Sequence, residues 1–234
     1  MSATSRPERP LLERPLLEGR TAVVFDAYGT LFDVHSAVQR HADAVGPDAA
    51  RLSELWRTKQ VEYSWNLSLI GRYVPFWQLT ERALDFALAS HASVDPALRD
   101  TLLDAYRDLD AYAEVPGVLE RLRARGLTTA LLSNGDAAML GRSVDAAGIR
   151  PHLDAALSVD AAQVFKTHPR AYAVVGEALG VSPEAVLFCS SNRWDVAGAT
   201  AFGFACAWIN RGAKPDEYAD LAPVAVLTDL EGLF

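Results

Sequence analysis

Five short apolar runs, each ending at polar residues, constrain this chain more than any other feature. They cover 21–25, 127–132, 155–158, 185–189 and 204–209. From the second run onward, helix-like segments alternate with them at 136–147, 169–180 and 192–202. Runs of four to six residues suit strands buried on both faces, and the intervening segments are long enough to cross back over a sheet. The pattern predicts an α/β chain: a parallel sheet with helices on both faces. A helix over 117–125 leads into the second run through Gly126, a residue suited to a helix C-terminus.

Residues 36–112 carry no convincing strand. Over 48–70, Leu52, Leu55, Trp56, Lys59, Tyr63 and Leu67 recur at spacings of three and four, which is one helical face. Segments 76–91 and 96–109 show the same period. Pro75 and Pro96 are placed to open helices, and Pro116-Gly117 closes the block. About four helices are therefore expected between the first and second strands. The division that follows is a tail over 1–19, a core over 20–34 and 115–234, and a helical cap over 35–114. Ligands of open α/β sheets bind beyond the carboxyl ends of the strands, so such a cap would roof the site.

Composition narrows the function. A net charge of −8 with no basic cluster excludes a nucleic-acid binder of the usual kind. No apolar run approaches the ~20 residues of a membrane span. The first 20 residues, with a tandem RPLLE, are broken by proline and charge and lack a signal-peptide core, so they are expected to be a loose tail or packing arm. Cys189 and Cys206 both sit in apolar runs without ligand spacing. They are expected to be small buried thiols in a reducing, cytoplasmic setting.

Chemistry-bearing residues stand after each of the first four strands. Asp26 ends the first, in AVVFDAYGTLFDV. Ser133 and Asn134 follow the second, and Lys166 follows the third after a loop. Ser190, Ser191, Asn192 and Asp195 follow the fourth. Any one of these, Asn192 or Asp136 for instance, could be an ordinary helix cap. Together they place a carboxylate, hydroxyls, an amide and an ammonium along one sheet edge. Two residues after Asp26 stands Tyr28, an aromatic side chain and not a second carboxylate. Hard Mg²⁺ wants several carboxylate or phosphate oxygens, and Asp26 with Asp195 supplies few.

The ordered set DAYGTLFDVHS, LWRTKQVEYSW, LLSNG, VFK, SSNRWD and AWINR resembles the L-2-haloacid dehalogenases of the haloacid dehalogenase (HAD) superfamily over about residues 20–210. The resemblance implies a HAD-like Rossmannoid core with an inserted helical cap. It also implies hydrolysis of short (S)-2-haloacids to (R)-2-hydroxyacids, with no metal and no organic cofactor. Asp26 would be the nucleophile. Arg57 and Asn134 would face the departing halide, which needs a cation or donor where its charge develops. The substrate carboxylate would meet the amides of Ala27 and Tyr28 and the Ser133 hydroxyl. Lys166 would keep Asp26 ionised. Thr30 and Tyr172 would hold Asp26 and Lys166 in place. Asp195, oriented by Ser190 and Asn192, would activate the hydrolytic water. Tyr28, Val61, Phe76 and Trp194 would wall the reacting carbon. Thr58, where the family pattern has Gln, and Asn66, where it has Leu, leave substrate size and halide preference open.

The partners implied are the haloacid, water and halide, with no nucleic acid or membrane, and a homodimer is expected. Two other readings stay open at this level. One is a Mg²⁺-dependent phosphatase of the same superfamily with atypical loops. The other is a binding protein that keeps the fold without turnover.

Overall fold

The computed structural model describes residues 15–234. Residues 1–14 of the expected tail lie outside the described residues. Of the remainder, Leu16 and Leu17 pack against the core.

Six parallel strands form one sheet in the order β3-β2-β1-β4-β5-β6. They are β1 (Ala22–Phe25), β2 (Thr128–Ser133), β3 (Ala155–Ser158), β4 (Val186–Ser190), β5 (Ala205–Ile209) and β6 (Ala225–Leu227). Strand β1 lies between β2 and β4, with Phe25 opposite Leu131 on one side and Cys189 on the other. All four of its residues are fully buried. The chain runs outward from β1 through β2 to β3, then crosses back to β4. The carboxyl end of β1 is thus a topological switch point, where a crevice opens for ligands.

The sequence pattern located five strands. It did not anticipate β6, a three-residue edge strand whose residues are at most half-buried. Its residues belong to an apolar run, Val224 to Leu227, but no α-helix separates that run from β5, so the alternation of strand and helix that marks the other strands is missing.

Between β1 and β2 lie α1 (Ser36–Gln39), α2 (Ala42–Val45), α3 (Ala49–Leu69), α4 (Phe76–Ser90) and α5 (Arg99–Arg107). The two chain crossings into and out of this insert lie side by side. Asp33 N donates to Asp110 O at 2.8 Å, and Tyr112 N to Leu31 O at 3.0 Å. Pro96 opens a single 3₁₀ turn rather than the helix itself. Pro116-Gly117, expected to close the block, instead lies in the first turn of α6 (Val115–Ala124), where a proline's missing N–H costs nothing. After α6 the chain turns at Gly126 with φ +75°, a left-handed conformation that favours glycine.

The inward face of α3 differs from the expected stripe. Leu52 and Trp56 are buried as anticipated, but so are Ser53, Gln60, Val61 and Ser64, while Tyr63 and Leu67 are only half-buried. The buried polar residues are tolerated because each is hydrogen-bonded inside the insert or at its rim.

The core helices are α7 (Ala137–Ala146), α8 (Pro169–Leu179) and α9 (Arg193–Phe202). Their starts are set locally. Asp136 caps α7 by accepting from Met139 N at 3.0 Å. His168 and Pro169 open α8, and Asn192 stands at the N-cap position of α9. Asp136 and Asn192 lie just beyond the ends of β2 and β4, so the loops after these strands also carry polar side chains at that edge of the sheet.

Candidate active site

The loop after β1 is folded by one carbonyl. Ala27 O accepts from the amides of Thr30, Leu31 and Phe32, and Gly29 adopts φ +93°. That turn leaves the amides of Ala27 and Tyr28 without an acceptor among the described residues. Two neighbouring N–H groups at a tight turn form a nest for an anion.

Asp26 lies at the mouth of this turn, 5% exposed. Its backbone is held because Asp26 N donates to Cys189 O at 2.9 Å, extending the β1–β4 ladder by one residue. Its two oxygens are treated differently. Oδ2 accepts from Asn192 Nδ2 at 2.8 Å and from Thr30 Oγ1 at 3.1 Å, with Ser190 Oγ at 3.5 Å. Oδ1 meets Lys166 Nζ at 3.0 Å. The less encumbered oxygen, Oδ1, keeps a lone pair for attack.

Lys166 bridges two carboxylates. Its Nζ lies 3.0 Å from Asp26 Oδ1 and 2.9 Å from Asp195 Oδ2, and the lysine is 1% exposed. Burial, the largest single effect on it, would lower its pKa. Asp195 and Asp26 together outweigh burial, so the ammonium is held above its ordinary range. Asp195 is fully buried in the first turn of α9. Burial pushes its carboxyl up to about 6, with Lys166 opposing that rise and Asp26 adding to it. The Tyr172 hydroxyl donates to Asp195 Oδ1 at 2.8 Å.

The structure redistributes some expected contacts. Ser190 and Asn192 were expected to orient Asp195; they bond Asp26 instead, because the chain after β4 passes directly beside β1. Tyr172 was expected to hold Lys166 and holds Asp195. Thr30 does reach Asp26. Asn134 accepts from Lys166 N at 2.9 Å through Oδ1, which fixes the lysine loop. Ser133, the last residue of β2, accepts from Gly135 N at 3.0 Å.

On the roof side, Arg57 Nη2 donates to Tyr28 O at 3.3 Å, so the insert places a guanidinium over the β1 loop. Phe76 stacks on Tyr28 with centroids 6.5 Å apart. Any side chain at Gly135 would meet the Tyr28 ring at 2.9 Å, so the glycine keeps this wall in place. Val61 is buried in the insert. Trp194 stands apart from this wall. It packs edge-on against Trp65 at 5.4 Å and borders an outer groove shared with Lys166.

The sequence motifs contain Arg211, at the end of AWINR, and Ser191, in SSNRWD, but assign neither a role. Arg211 Nη2 donates to Thr30 O at 3.1 Å and pairs with Glu114 at 2.6 Å, tying the nucleophile loop to the return strand of the insert. Ser191 N donates to Thr30 Oγ1 at 2.8 Å, and its hydroxyl donates to Gly29 O at 2.7 Å. For Ser191 the adjacent-serine pattern was a usable signal. For Arg211, the AWINR motif marked the residue, but its partner Thr30, 181 residues away in sequence, was not legible.

Four similarities bear on this site. The family model of haloacid dehalogenase-like hydrolases matches residues 21–203. The chain is 50% identical to (S)-2-haloacid dehalogenase 1 of Pseudomonas sp. (strain CBS-3), over 85% of this chain and 88% of that protein. The crystal structure of a dehalogenase superposes with a TM-score of 0.90 at 44% identity, covering 92% of this chain and 96% of that one. The L-2-haloacid dehalogenase of Xanthobacter autotrophicus, solved with chloropropionic acid covalently bound, superposes with a TM-score of 0.82 at 39% identity over the same shares.

Proposed function

Because this chain belongs to the (S)-2-haloacid dehalogenases among the haloacid dehalogenase-like hydrolases, we propose that it hydrolyses short (S)-2-haloacids to (R)-2-hydroxyacids through an ester on Asp26. The observation that carries the reading is the asymmetric setting of the Asp26 carboxylate. Oδ1 attacks C2 from the side opposite the carbon–halogen bond; the C–O bond forms and halide leaves with the electron pair. The substrate carboxylate rests on the Ala27 and Tyr28 amides with Ser133, and the halide leaves toward Arg57 and Asn134.

In the ester, Oδ2 becomes the carbonyl oxygen. Its three neighbours, Thr30, Asn192 and Ser190, then form a preorganised oxyanion hole for water's attack on the aspartyl carbonyl carbon. Asp195 accepts the water's proton. The intermediate collapses with cleavage of the bond to Oδ1, and the proton goes to the departing hydroxyacid. Asp26 retains the oxygen that came from water.

The donor set does not fit a divalent ion. Lys166 occupies the space between the two carboxylates, Tyr28 stands where a second carboxylate would be needed, and the Ser191 hydroxyl is committed to Gly29 O. These same features disfavour the phosphatase reading. Among the described residues no helix is long and apolar enough to cross a membrane. We assign the protein to the cytoplasm on its two buried, unpaired cysteines, and to a homodimer on the apolar Trp65, Leu69 and Ile70 exposed at the end of α3.

A single turnover of (S)-2-chloropropionate in H₂¹⁸O, with enzyme in excess and a chelator present, tests the reading. The expected result is unlabelled lactate, free chloride and label in the peptide containing Asp26. Labelled lactate in that turnover means direct attack of water on C2, and no chloride release under chelation means that the metal-free reading is wrong.

A further inference from the structure

The insert holds a buried polar chain that the reaction above does not use. Gln60 on α3 and Thr80 on α4 are fully buried, and Tyr106 on α5 is 2% exposed. The Tyr106 hydroxyl donates to Gln60 Oε1 at 3.3 Å. Gln60 Nε2 donates to Thr80 Oγ1 at 3.0 Å, and the Thr80 hydroxyl donates to Phe76 O at 3.1 Å. Trp56 Nε1 closes the same cluster by donating to Thr80 O at 2.9 Å.

Each direction in this chain is forced. An amide oxygen only accepts, so the Tyr106 proton is committed to Gln60. The Thr80 hydroxyl accepts from Gln60 and so spends its proton on Phe76. The Tyr106 oxygen is therefore left with lone pairs facing away from Gln60. Arg57 lies one turn before Gln60 on the same helix, and its guanidinium donates to the carbonyl of Tyr28, the residue on whose ring Tyr106 stacks. Burial pushes the Tyr106 phenol above its ordinary range, and the charge and hydrogen bonding of Arg57 oppose the rise. The Tyr106 ring is fixed as well, stacked on Tyr28 at 5.8 Å and 19° and tilted against Trp56 at 4.9 Å.

We propose that Tyr106 is a positioning residue for Arg57: its hydroxyl, locked by Gln60 and Thr80, accepts from the guanidinium and holds it on the side where halide departs. The proposal rests on the reading of Arg57 given above. Two arguments support it. Burying an amide and two hydroxyls between helices costs free energy that an apolar set of equal volume would avoid, so the chain contributes orientation in place of extra stability. Arg57 otherwise has one contact, a 3.3 Å bond to Tyr28 O. A long side chain held at one point still samples rotamers, whereas charge stabilisation in a transition state depends on donors already in place.

The chain links Arg57 to Phe76 O, so both walls of the site move together or not at all. The effect should scale with how much the leaving group needs stabilising. Chloride, the poorer leaving group, depends on Arg57 more than bromide does.

The test is the single-turnover rate of halide release from (S)-2-chloropropionate and (S)-2-bromopropionate, in wild type, Tyr106→Phe, Thr80→Val and Thr80→Ser. Tyr106→Phe keeps the ring and removes the acceptor. It should slow chloride release about tenfold and bromide release less than about threefold. Thr80→Val should act in the same direction more weakly, and Thr80→Ser, which keeps the hydroxyl, should restore wild-type rates. Should Tyr106→Phe fail to fold, the Val and Ser pair at position 80 decides alone. A purely structural role would lower both halides equally through the active fraction. Equal losses, or unchanged rates in Tyr106→Phe and Thr80→Val, overturn the proposal. Absence of halide release from wild type is a distinct result, which removes the dehalogenase reading itself.

Discussion

Asp195 carries the site's clearest pH signature. Its carboxyl is pushed up to about 6 by burial, against Lys166 and with help from the charge of Asp26. It can take a proton from water only when ionised, so ester hydrolysis must slow as pH falls. Esterification neutralises Asp26 and removes one cause of the upward shift. The falling limb of the deacylation rate should therefore lie below about 6 but above the ordinary carboxylate value of 3.8. The measurement is single-turnover release of hydroxyacid against pH, with formation of the ester followed separately. A deacylation rate flat down to the ordinary carboxylate range would exclude Asp195 as the base.

At the scale of elements, α9 shows how packing sets that chemistry. Gly198 lies inside this helix, where alanine is ordinarily favoured by about 1 kcal/mol. A Cβ there would meet Tyr172 Oη at 2.5 Å and Thr167 Cβ at 2.8 Å. Tyr172 is the partner of Asp195, and Thr167 follows Lys166, so neither can yield without moving the charged cluster. Overpacking of this kind costs about 1–3 kcal/mol, and it outweighs the gain in helix propensity. Gly198→Ala should lower the melting temperature by about 5 °C and reduce the deacylation rate at least about tenfold through displacement of Asp195. A thermal melt paired with single-turnover hydrolysis checks both; a variant as stable and active as wild type would show that α9 can shift freely. Helix α3 teaches a related lesson about legibility. Its period was visible in the sequence, but the stripe of Leu52, Leu55, Trp56, Lys59, Tyr63 and Leu67 was rotated from the true inward face. Gln60 and Ser64 lie outside that stripe, and their burial is satisfied by partners on α4, α5 and the helix's own backbone.

For the whole molecule, handedness of the reaction follows from where three anchors sit. In the proposed reaction, the core supplies the nucleophile from the end of β1 and a nest for the substrate carboxylate from the following turn, and the insert supplies the halide-side cation from α3. A substrate carbon held by its carboxylate, with halogen toward Arg57 and backside toward Asp26 Oδ1, has one allowed arrangement of its remaining two substituents. The protein should consume (S)-2-chloropropionate and leave the (R) form, with (R)-lactate as product. Chiral chromatography of a racemate after exhaustive turnover checks this, and equal consumption of both enantiomers would contradict the three-point arrangement. The insert must keep its position for this to work. Arg211, bonded to Thr30 O and paired with Glu114, anchors both crossings of the chain to the core.

The sequence by itself determined where strands β1, β3 and β5 end, and placed the ends of β2 and β4 just short of Ser133 and Ser190. Short apolar runs punctuated by polar residues are a local signal, and each end carries its side chain to the same edge of a parallel sheet. Asp26, Ser133, Lys166, Ser190, Asn192 and Asp195 were legible for that reason, as was the presence of a helical insert. The edge strand β6 was not, since no α-helix separates it from β5 and the alternation of strand and helix stops there. Only the tertiary structure decided which donor meets which carboxylate oxygen. Lys166 and Asn192 reach Asp26 across 140 and 166 residues of chain. That Ser190 and Asn192 serve Asp26 while Tyr172 serves Asp195 depends on β4 lying against β1 and on how α8 packs on α9. Those placements come from burying apolar faces throughout the molecule, and no local stretch encodes them.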